Sequence, residues 1–299
     1  PHRERFTERI MIDGEPIADA AVADAWDEIA PIVALVDEEL DGKGEPPLTF
    51  FELLTVLAFV SFADAPVDVA VIEVGMGGAW DSTNTADGDV AVFAPIDIDH
   101  ADKLGDTIAE IATVKAGIIK PNAAAVSAAQ QPAALSVLTT AARAQGASLA
   151  VEGEQFGLLD QKLAVGGQLL TVRGLAATYE ELYLPLYGAH QGRNAALAIA
   201  AVESLIGGGT QPIAPDVLAD GLGAATSPGR LQLVGVAPTV LVDSAHNPHG
   251  ARSLVAALGE SFDFDEWGLV LGAFADKDVA GIVGALAPAV AHVFATAPE

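Results

Sequence analysis

The chain has 299 residues, of which 51% are hydrophobic, enough to bury one large core or two ordinary ones; disorder is not the default reading, and two domains are favoured. Its 14 Lys and Arg stand against 41 Asp and Glu, and the resulting net charge of -27, with no basic cluster, excludes nucleic acid as an expected partner. The absence of cysteine removes disulfide frameworks, thiolate metal sites and thiol nucleophiles, and fits a cytoplasmic protein.

Pro1 is followed at once by His2, Arg3 and Glu4 with no initiator Met, so the chain is expected to begin inside a longer polypeptide. No apolar run reaches the roughly 18 uncharged residues of a membrane span; the nearest, Phe50 to Ala65, carries Glu52 and Asp64. Thr49 and Glu52 have capping-box spacing and open a helix through Leu53, Leu54, Leu57 and Ala58 that runs into Ala65-Pro66. Val67 to Val74 then reads as a strand ending at the glycines Gly75, Gly77 and Gly78. A second apolar strand, Val90 to Ile98, ends at Asp99-His100. Thr107 and Glu110 repeat the capping-box spacing and open a helix to about Ala116, which Gly117 stops.

A strand at 123–126, a helix at 133–144 and a strand at 148–151 follow, an alternation that predicts a parallel sheet covered on both faces. Gly166-Gly167, between Lys162 to Val165 and Leu169 to Val172, predicts a hairpin and an antiparallel edge. Ala189 to Leu205 is an alanine-rich helix closed by Gly207, Gly208 and Gly209, and Val217 to Leu222 is a shorter one. Thr226-Ser227-Pro228-Gly229 has linker composition, which places a boundary between domains 1–226 and 227–299. A second alternating series starts near Leu231, with strands at Val240 to Asp243, Leu269 to Gly272 and Val293 to Ala295 and helices near His249 to Leu258 and Val279 to Leu286; its sheet is expected to be incomplete.

Several residues fall where open parallel sheets bind ligands. Glu73 ends an apolar strand just before Gly75-Met76-Gly77-Gly78, and its carboxylate would suit Mg2+, although a strand-end acid also serves as a helix cap or faces water. His100 ends the next strand and could present a neutral ring nitrogen to the same crevice; its bland alternative is a hydrogen-bonded loop histidine. Lys115 lies at the end of the capped helix among apolar neighbours, a position the helix macrodipole also favours for any lysine. Asp243-Ser244-Ala245-His246-Asn247-Pro248 sits at a strand-to-helix transition whose polar side chains and free amides suit a nucleotide or anion, while Asn247-Pro248 alone is a helix-opening turn. Arg230 and Lys277 are candidate phosphate contacts, and His190 and Asn194 share one helix face, where capping is the plainer account. No Gly-x-x-x-x-Gly-Lys-Ser/Thr loop, nucleophile elbow, His-Glu-x-x-His or zinc cysteine set occurs.

Taken in order, Pro1-His2 with Thr7-Glu-Arg-Ile10, Glu73-Val-Gly-Met-Gly-Gly78 with Asp81-Ser-Thr-Asn84, Asp99-His100, Leu104-Gly-Asp-Thr-Ile108, Lys115-Ala-Gly-Ile118, His190-Gln191 with Asn194-Ala195, Ser227-Pro-Gly-Arg230 and Asp243-Ser-Ala-His-Asn-Pro248 resemble a family's signature blocks. The family is that of folylpolyglutamate synthases and bifunctional dihydrofolate synthases, within the Mur ligase superfamily. The resemblance implies an α/β protein: a P-loop-type parallel-sheet domain with an antiparallel edge, like the Mur ligase central domain without its N-terminal part, and a smaller, truncated Rossmann-like C-terminal domain. It implies ATP and Mg2+ as cofactors. The implied reaction adds L-glutamate to dihydropteroate or a tetrahydrofolate (poly)glutamate through an acyl phosphate. It further implies a cytoplasmic monomer with neither nucleic acid nor membrane as partner.

Residue by residue, Glu73 and His100 match the family's Mg2+ ligands, and Lys115 matches a lysine that is carbamylated there and supports the metal; these are the expected catalytic residues. Asn194, Arg230, Asp243 and His246 match positions near the nucleotide, while Asp81 and Asn84, with Pro1 and His2, match the substrate side. Ala79 stands where the family carries arginine, and Arg3 where it carries leucine. The phosphate loop would lie before Pro1. Two other readings stay open: a cell-wall Mur ligase acting on UDP-MurNAc-peptide, and a noncatalytic folate- or nucleotide-binding module.

Overall fold

A computed structural model describes residues 5–99, 101–274 and 277–296, so the candidates Pro1, His2 and His100 lie outside the described residues. The chain divides into two units, Pro1–Gly88 with Ile98–Lys120 and Asp89–Asp97 with Pro121–Glu299.

In the first unit a tight turn at Asp13 and Gly14, both left-handed with φ of 53° and 81°, joins β1 (Met11–Ile12) to β2 (Glu15–Pro16). Two positive φ values in succession give the strand twist that a two-residue hairpin needs. The 25-residue α1 (Asp19–Lys43) follows; it carries Pro31 inside and ends at Gly44 in the left-handed conformation. The sequence signals gave no warning of it, because Ala18 supplies no side-chain cap and Pro31 reads as a breaker. The helix α2 (Phe50–Asp64) begins as expected: the Glu52 amide donates to Thr49 Oγ1 at 3.3 Å, and the Thr49 amide donates back to the Glu52 carboxylate at 2.7 Å. The Thr49 hydroxyl also donates to that carboxylate, at 2.6 Å, and this bond first and the Thr49 amide second lower the Glu52 carboxyl pKa. Ala25 and Ile29 of α1 pack with Leu54 and Leu57 of α2 over Ile10 and Ile17. Each large side chain so buried contributes about 1.5–3 kcal/mol. The short α3 (Ala101–Leu104) precedes α4 (Ile108–Ala116), whose Thr107–Glu110 box and terminal Gly117 match expectation.

Val67 to Val74 is a correction. Among the described residues it forms no strand, and Val71 is 92% exposed. A strand exists through ladder bonds to a neighbour, and no described strand pairs with this segment; apolar alternation alone leaves extended chain.

In the second unit β3 (Val90–Phe93), shorter than expected, pairs in parallel with β4 (Ala124–Ser127), and β4 with β5 (Ser148–Val151), with α5 (Pro132–Gln145) between them. An antiparallel sheet follows, β6 (Gly157–Ala164), β7 (Gly167–Arg173) and β8 (Thr178–Leu184), with its first turn at Val165-Gly166. The helices α6 (Ala189–Gly207) and α7 (Pro215–Gly223) come next. The small residues Ala195, Ala196 and Ala200 let α6 approach Val126, Leu170, Val172 and Leu184 closely, and this is the main core. Within it Glu203 is fully buried: Oε1 accepts from the Tyr179 hydroxyl at 2.7 Å, Oε2 accepts from the Leu175 amide, and Tyr179 Oη accepts from the Ile213 amide at 2.8 Å. Burial first, and the Glu203 bond second, push the Tyr179 pKa up.

The remaining elements are β9 (Gln232–Val236), β10 (Thr239–Val242), α8 (Pro248–Ser261), β11 (Gly268–Gly272), α9 (Val279–Leu286) and β12 (His292–Thr296). They form an antiparallel β9–β10 hairpin and a parallel β11–β12 pair, with Ala251, Ile282 and Leu286 as a small core.

Candidate functional site

In the first unit the glycine segment after Glu73 packs onto the C-terminal end of α4. A Cβ on Gly78 would lie 2.9 Å from the carbonyl oxygens of Lys115 and Val114, and one on Gly77, whose φ is 73°, would lie 2.8 Å from Val114 Cγ1. The Ala79 amide donates to the Val114 carbonyl at 3.0 Å. The chain that follows Glu73 therefore meets the Lys115 end of α4 at one loop-to-helix junction. Glu73 is exposed and accepts no hydrogen bond from the described residues; Lys115 is half-buried.

The next block behaves differently. Asp81, only 8% exposed, spends both carboxylate oxygens internally: Oδ2 accepts from the Met76 amide at 2.8 Å, and Oδ1 accepts from the Thr83 amide at 3.0 Å and the Thr83 hydroxyl at 2.6 Å. Asn84 Nδ2 donates to the carbonyls of Ala79 and Gly117, both at 3.2 Å. Lys120 Nζ donates to the Asn84 carbonyl at 2.6 Å. Together these bonds clasp 75–85 to the end of α4. Phe51 of α2 lies against Gly75, where a Cβ would come within 2.4 Å of its ring. Lys120 escaped the sequence reading, since nothing distinguishes a clasping lysine from a surface one.

In the second unit the other candidates gather at the starts of α6 and α8. Asp243 is half-buried; Oδ2 accepts from the Leu231 amide at 2.9 Å and Oδ1 from the Ala245 amide at 2.8 Å, tying the 229–231 turn to the end of β10. Asn247 caps α8, its Oδ1 accepting from the Gly250 amide at 2.7 Å, with Pro248 in the first turn. His246 is exposed, its Nδ1 3.1 Å from the Ser244 carbonyl oxygen. Arg230 and Asn194 are exposed, and Asn194 Nδ2 donates to Gln191 Oε1 at 3.3 Å. His190 is half-buried, and its imidazole pKa is lowered, by burial first and by the nearby Arg193 and Arg230, against the opposing carboxylates of Asp243 and Glu260. Asp243, Ser244, His246 and Lys277 also line an open, mainly apolar cavity of about 820 Å3. His249 Nδ1 lies 3.5 Å from Asp97 Oδ2, an exposed pair worth at most about 1 kcal/mol.

This arrangement offers two kinds of chemistry. One junction presents a carboxylate and an amine beside close-packed backbone; the other presents a guanidinium, amides and an imidazole around the open N-terminal turns of two helices, which suits phosphate or a planar base. Among the described residues no group of three or more His, Asp or Glu could hold a metal ion. A single exposed carboxylate still fits Mg2+, which retains waters and binds through one or two carboxylates together with substrate phosphates. No helix among the described residues is long and apolar enough to cross a membrane.

Comparison with known proteins adds a lineage to this geometry. The Mur ligase middle domain matches residues 20–202, and the Mur ligase glutamate ligase domain matches residues 229–299. A dihydrofolate synthase/folylpolyglutamate synthase of Mycobacterium tuberculosis is 47% identical over 99% of this chain and 63% of its own length. A folylpolyglutamate synthase of Lacticaseibacillus casei is 35% identical over 98% of this chain and 68% of its own length. Among solved structures, the Mycobacterium tuberculosis folylpolyglutamate synthase complexed with ADP and AMPPCP superposes with a TM-score of 0.94 at 46% identity, covering 99% of this chain and 67% of that one. A folylpolyglutamate synthase–AMPPCP–folate complex superposes with a TM-score of 0.89 at 36% identity, covering 99% and 71%. The chain thus spans 63% of the length of the Mycobacterium relative. The parallel sheet and smaller α/β series anticipated from the sequence belong to the fold these proteins share, and the antiparallel strands, expected as an edge, form a sheet of their own.

Proposed function

The chain belongs to the folylpolyglutamate synthase/dihydrofolate synthase family of Mur ligases, and from that premise we propose that it is the greater part of an ATP-dependent ligase joining L-glutamate to a folate-type acid. The acceptor is dihydropteroate, a tetrahydrofolate (poly)glutamate, or both. In the proposed reaction the γ-phosphoryl group of ATP passes to the acceptor carboxylate. The glutamate amine then attacks the acyl carbonyl, and inorganic phosphate leaves as the amide bond forms.

The observation that carries this reading is the packing of Gly78 on the Lys115 carbonyl, which holds the chain leaving Glu73 against the end of α4. Glu73 would hold Mg2+, with His100 as a second ligand and Lys115, if carbamylated, as a further carboxylate. The ion would supply charge neutralisation on the phosphoryl oxygens. Asn194, Arg230, Asp243 and His246 would contact the nucleotide: Arg230 by paired donors to phosphate, Asp243 by keeping the 229–231 turn and the start of α8 in register. Asp81 and Asn84, with Pro1 and His2, would shape the pterin side, Asp81 by fixing the loop its carboxylate already bonds. The division of labour would fall between 1–226, carrying metal and folate, and 227–299, carrying part of the nucleotide site. The enzyme would act as a cytoplasmic monomer.

The test is phosphate release from ATP by the full-length protein with Mg2+, L-glutamate and dihydropteroate or tetrahydrofolate. Release that needs both the amino acid and the pterin, with a product one glutamyl residue heavier, is the expected result. No release at saturating concentrations of all three substrates would overturn the assignment.

A further inference from the structure

Gln168, on β7, is 2% exposed, and its amide is only half used. Nε2 donates to the Gly188 carbonyl at 3.3 Å, while Oε1 is buried without a partner among the described residues. The amide's orientation follows from that contact, since a carbonyl must be met by the NH2 group, and the oxygen is left over.

Gly188 is the residue from which α6 starts. Its φ of 95° suits glycine alone, and a Cβ there would lie 2.7 and 2.8 Å from His190 Cε1 and Nδ1 and 2.9 Å from Ala257 Cβ. It supplies no side-chain cap, and the Gln191 amide closes the first turn on the same carbonyl at 3.0 Å. The start of α6 is therefore held by one amide reaching across from β7. That first turn carries His190, and Asn194 follows one turn on.

We infer that Gln168 is a positioning residue for the nucleotide: its amide fixes the Gly188 carbonyl, and through it the direction in which α6 presents Asn194 and His190. This rests on the ligase reading above. The orphaned oxygen is the reason to assign a functional purpose. A buried acceptor without a donor opposes folding, and an apolar side chain of equal length would remove that penalty while filling the same space. An amide kept purely for stability would not be built this way.

The measurement pairs thermal unfolding with nucleotide affinity for Gln168→Met in the full-length protein, using a non-hydrolysable ATP analogue in calorimetry and ATP in steady-state kinetics. The expected result is an unchanged or higher Tm together with Kd for the analogue and KM for ATP raised about tenfold, the equivalent of one net hydrogen bond. KM for glutamate and for folate should stay as in the wild type. A lower Tm with unaltered nucleotide affinity makes Gln168 merely structural and overturns the inference. Should Gln168→Met not fold, Gln168→Leu, which also removes the buried polar atoms, is read in the same way. Wild-type protein that binds no nucleotide would instead sink the ligase reading and this inference with it, whereas wild-type binding with an indifferent variant sinks the inference alone.

Discussion

Two aspartates in signature blocks, Asp81 in the first unit and Asp243 in the second, do the same local job in different surroundings. Each accepts backbone amides with both carboxylate oxygens and so stitches a loop together. Asp81 is buried with both carboxylate oxygens already bonded, whereas Asp243 is half-buried and lines an open cavity. Motif residues thus separate into builders, whose bonding capacity is consumed inside the protein, and exposed groups such as Glu73 and Arg230, whose side chains face solvent. Residue type and spacing alone do not make that distinction; hydrogen bonds do.

The sharpest way to break the comparison is to remove one of each. On the proposed reaction, in which Glu73 would hold Mg2+ beside the phosphates, Glu73→Gln should lower ATP-dependent turnover by about 100-fold or more. Its unfolding free energy from denaturant titration should stay within about 0.5 kcal/mol of wild type, as for other exposed substitutions. Asp81→Ala should do the reverse at first: about 2–3 kcal/mol of stability is lost, since the amides of Met76 and Thr83 lose a charged acceptor, and activity falls through the distorted loop. If Asp81→Ala melted like wild type, the builder role would be wrong.

A smaller effect should appear in the pH dependence of stability. Burial holds the His190 pKa below the ordinary imidazole range, so the unfolded chain takes up the proton first as the solution is acidified. Stability is complete above the unfolded value of about 6.5 and declines as pH falls through it toward the lower folded value. His190→Gln should flatten that part of the profile in urea titrations at several pH values. An unchanged slope would show that another group governs it.

Much of this organisation was legible in the chain itself. Both Thr–x–x–Glu caps and the alanine-rich α6 follow from local chemistry and lie where the spacing put them, and the hairpin forms one residue earlier than expected, turning at Val165-Gly166 rather than Gly166-Gly167. What was not legible depends on partners. Val67 to Val74 has a strand's alternation, yet it pairs with no strand among the described residues; α1 hides behind Pro31 because its stability comes from packing on α2. In the site, the candidates of one junction could be listed from their blocks, but Lys120 and Gln168 could not. Their roles lie in reaching a distant carbonyl, at Asn84 and Gly188, and no spacing rule encodes that.

Gly77 and Gly78 are adjacent and both lack room for a methyl group, but the torsional objection applies to only one. At 77 a left-handed φ of 73° disfavours every L residue, while 78 has an ordinary torsion and is closed by two carbonyl oxygens. The pair can therefore be told apart by handedness: semisynthetic protein with D-alanine at 77 meets no torsional penalty, and at 78 inversion has none to relieve.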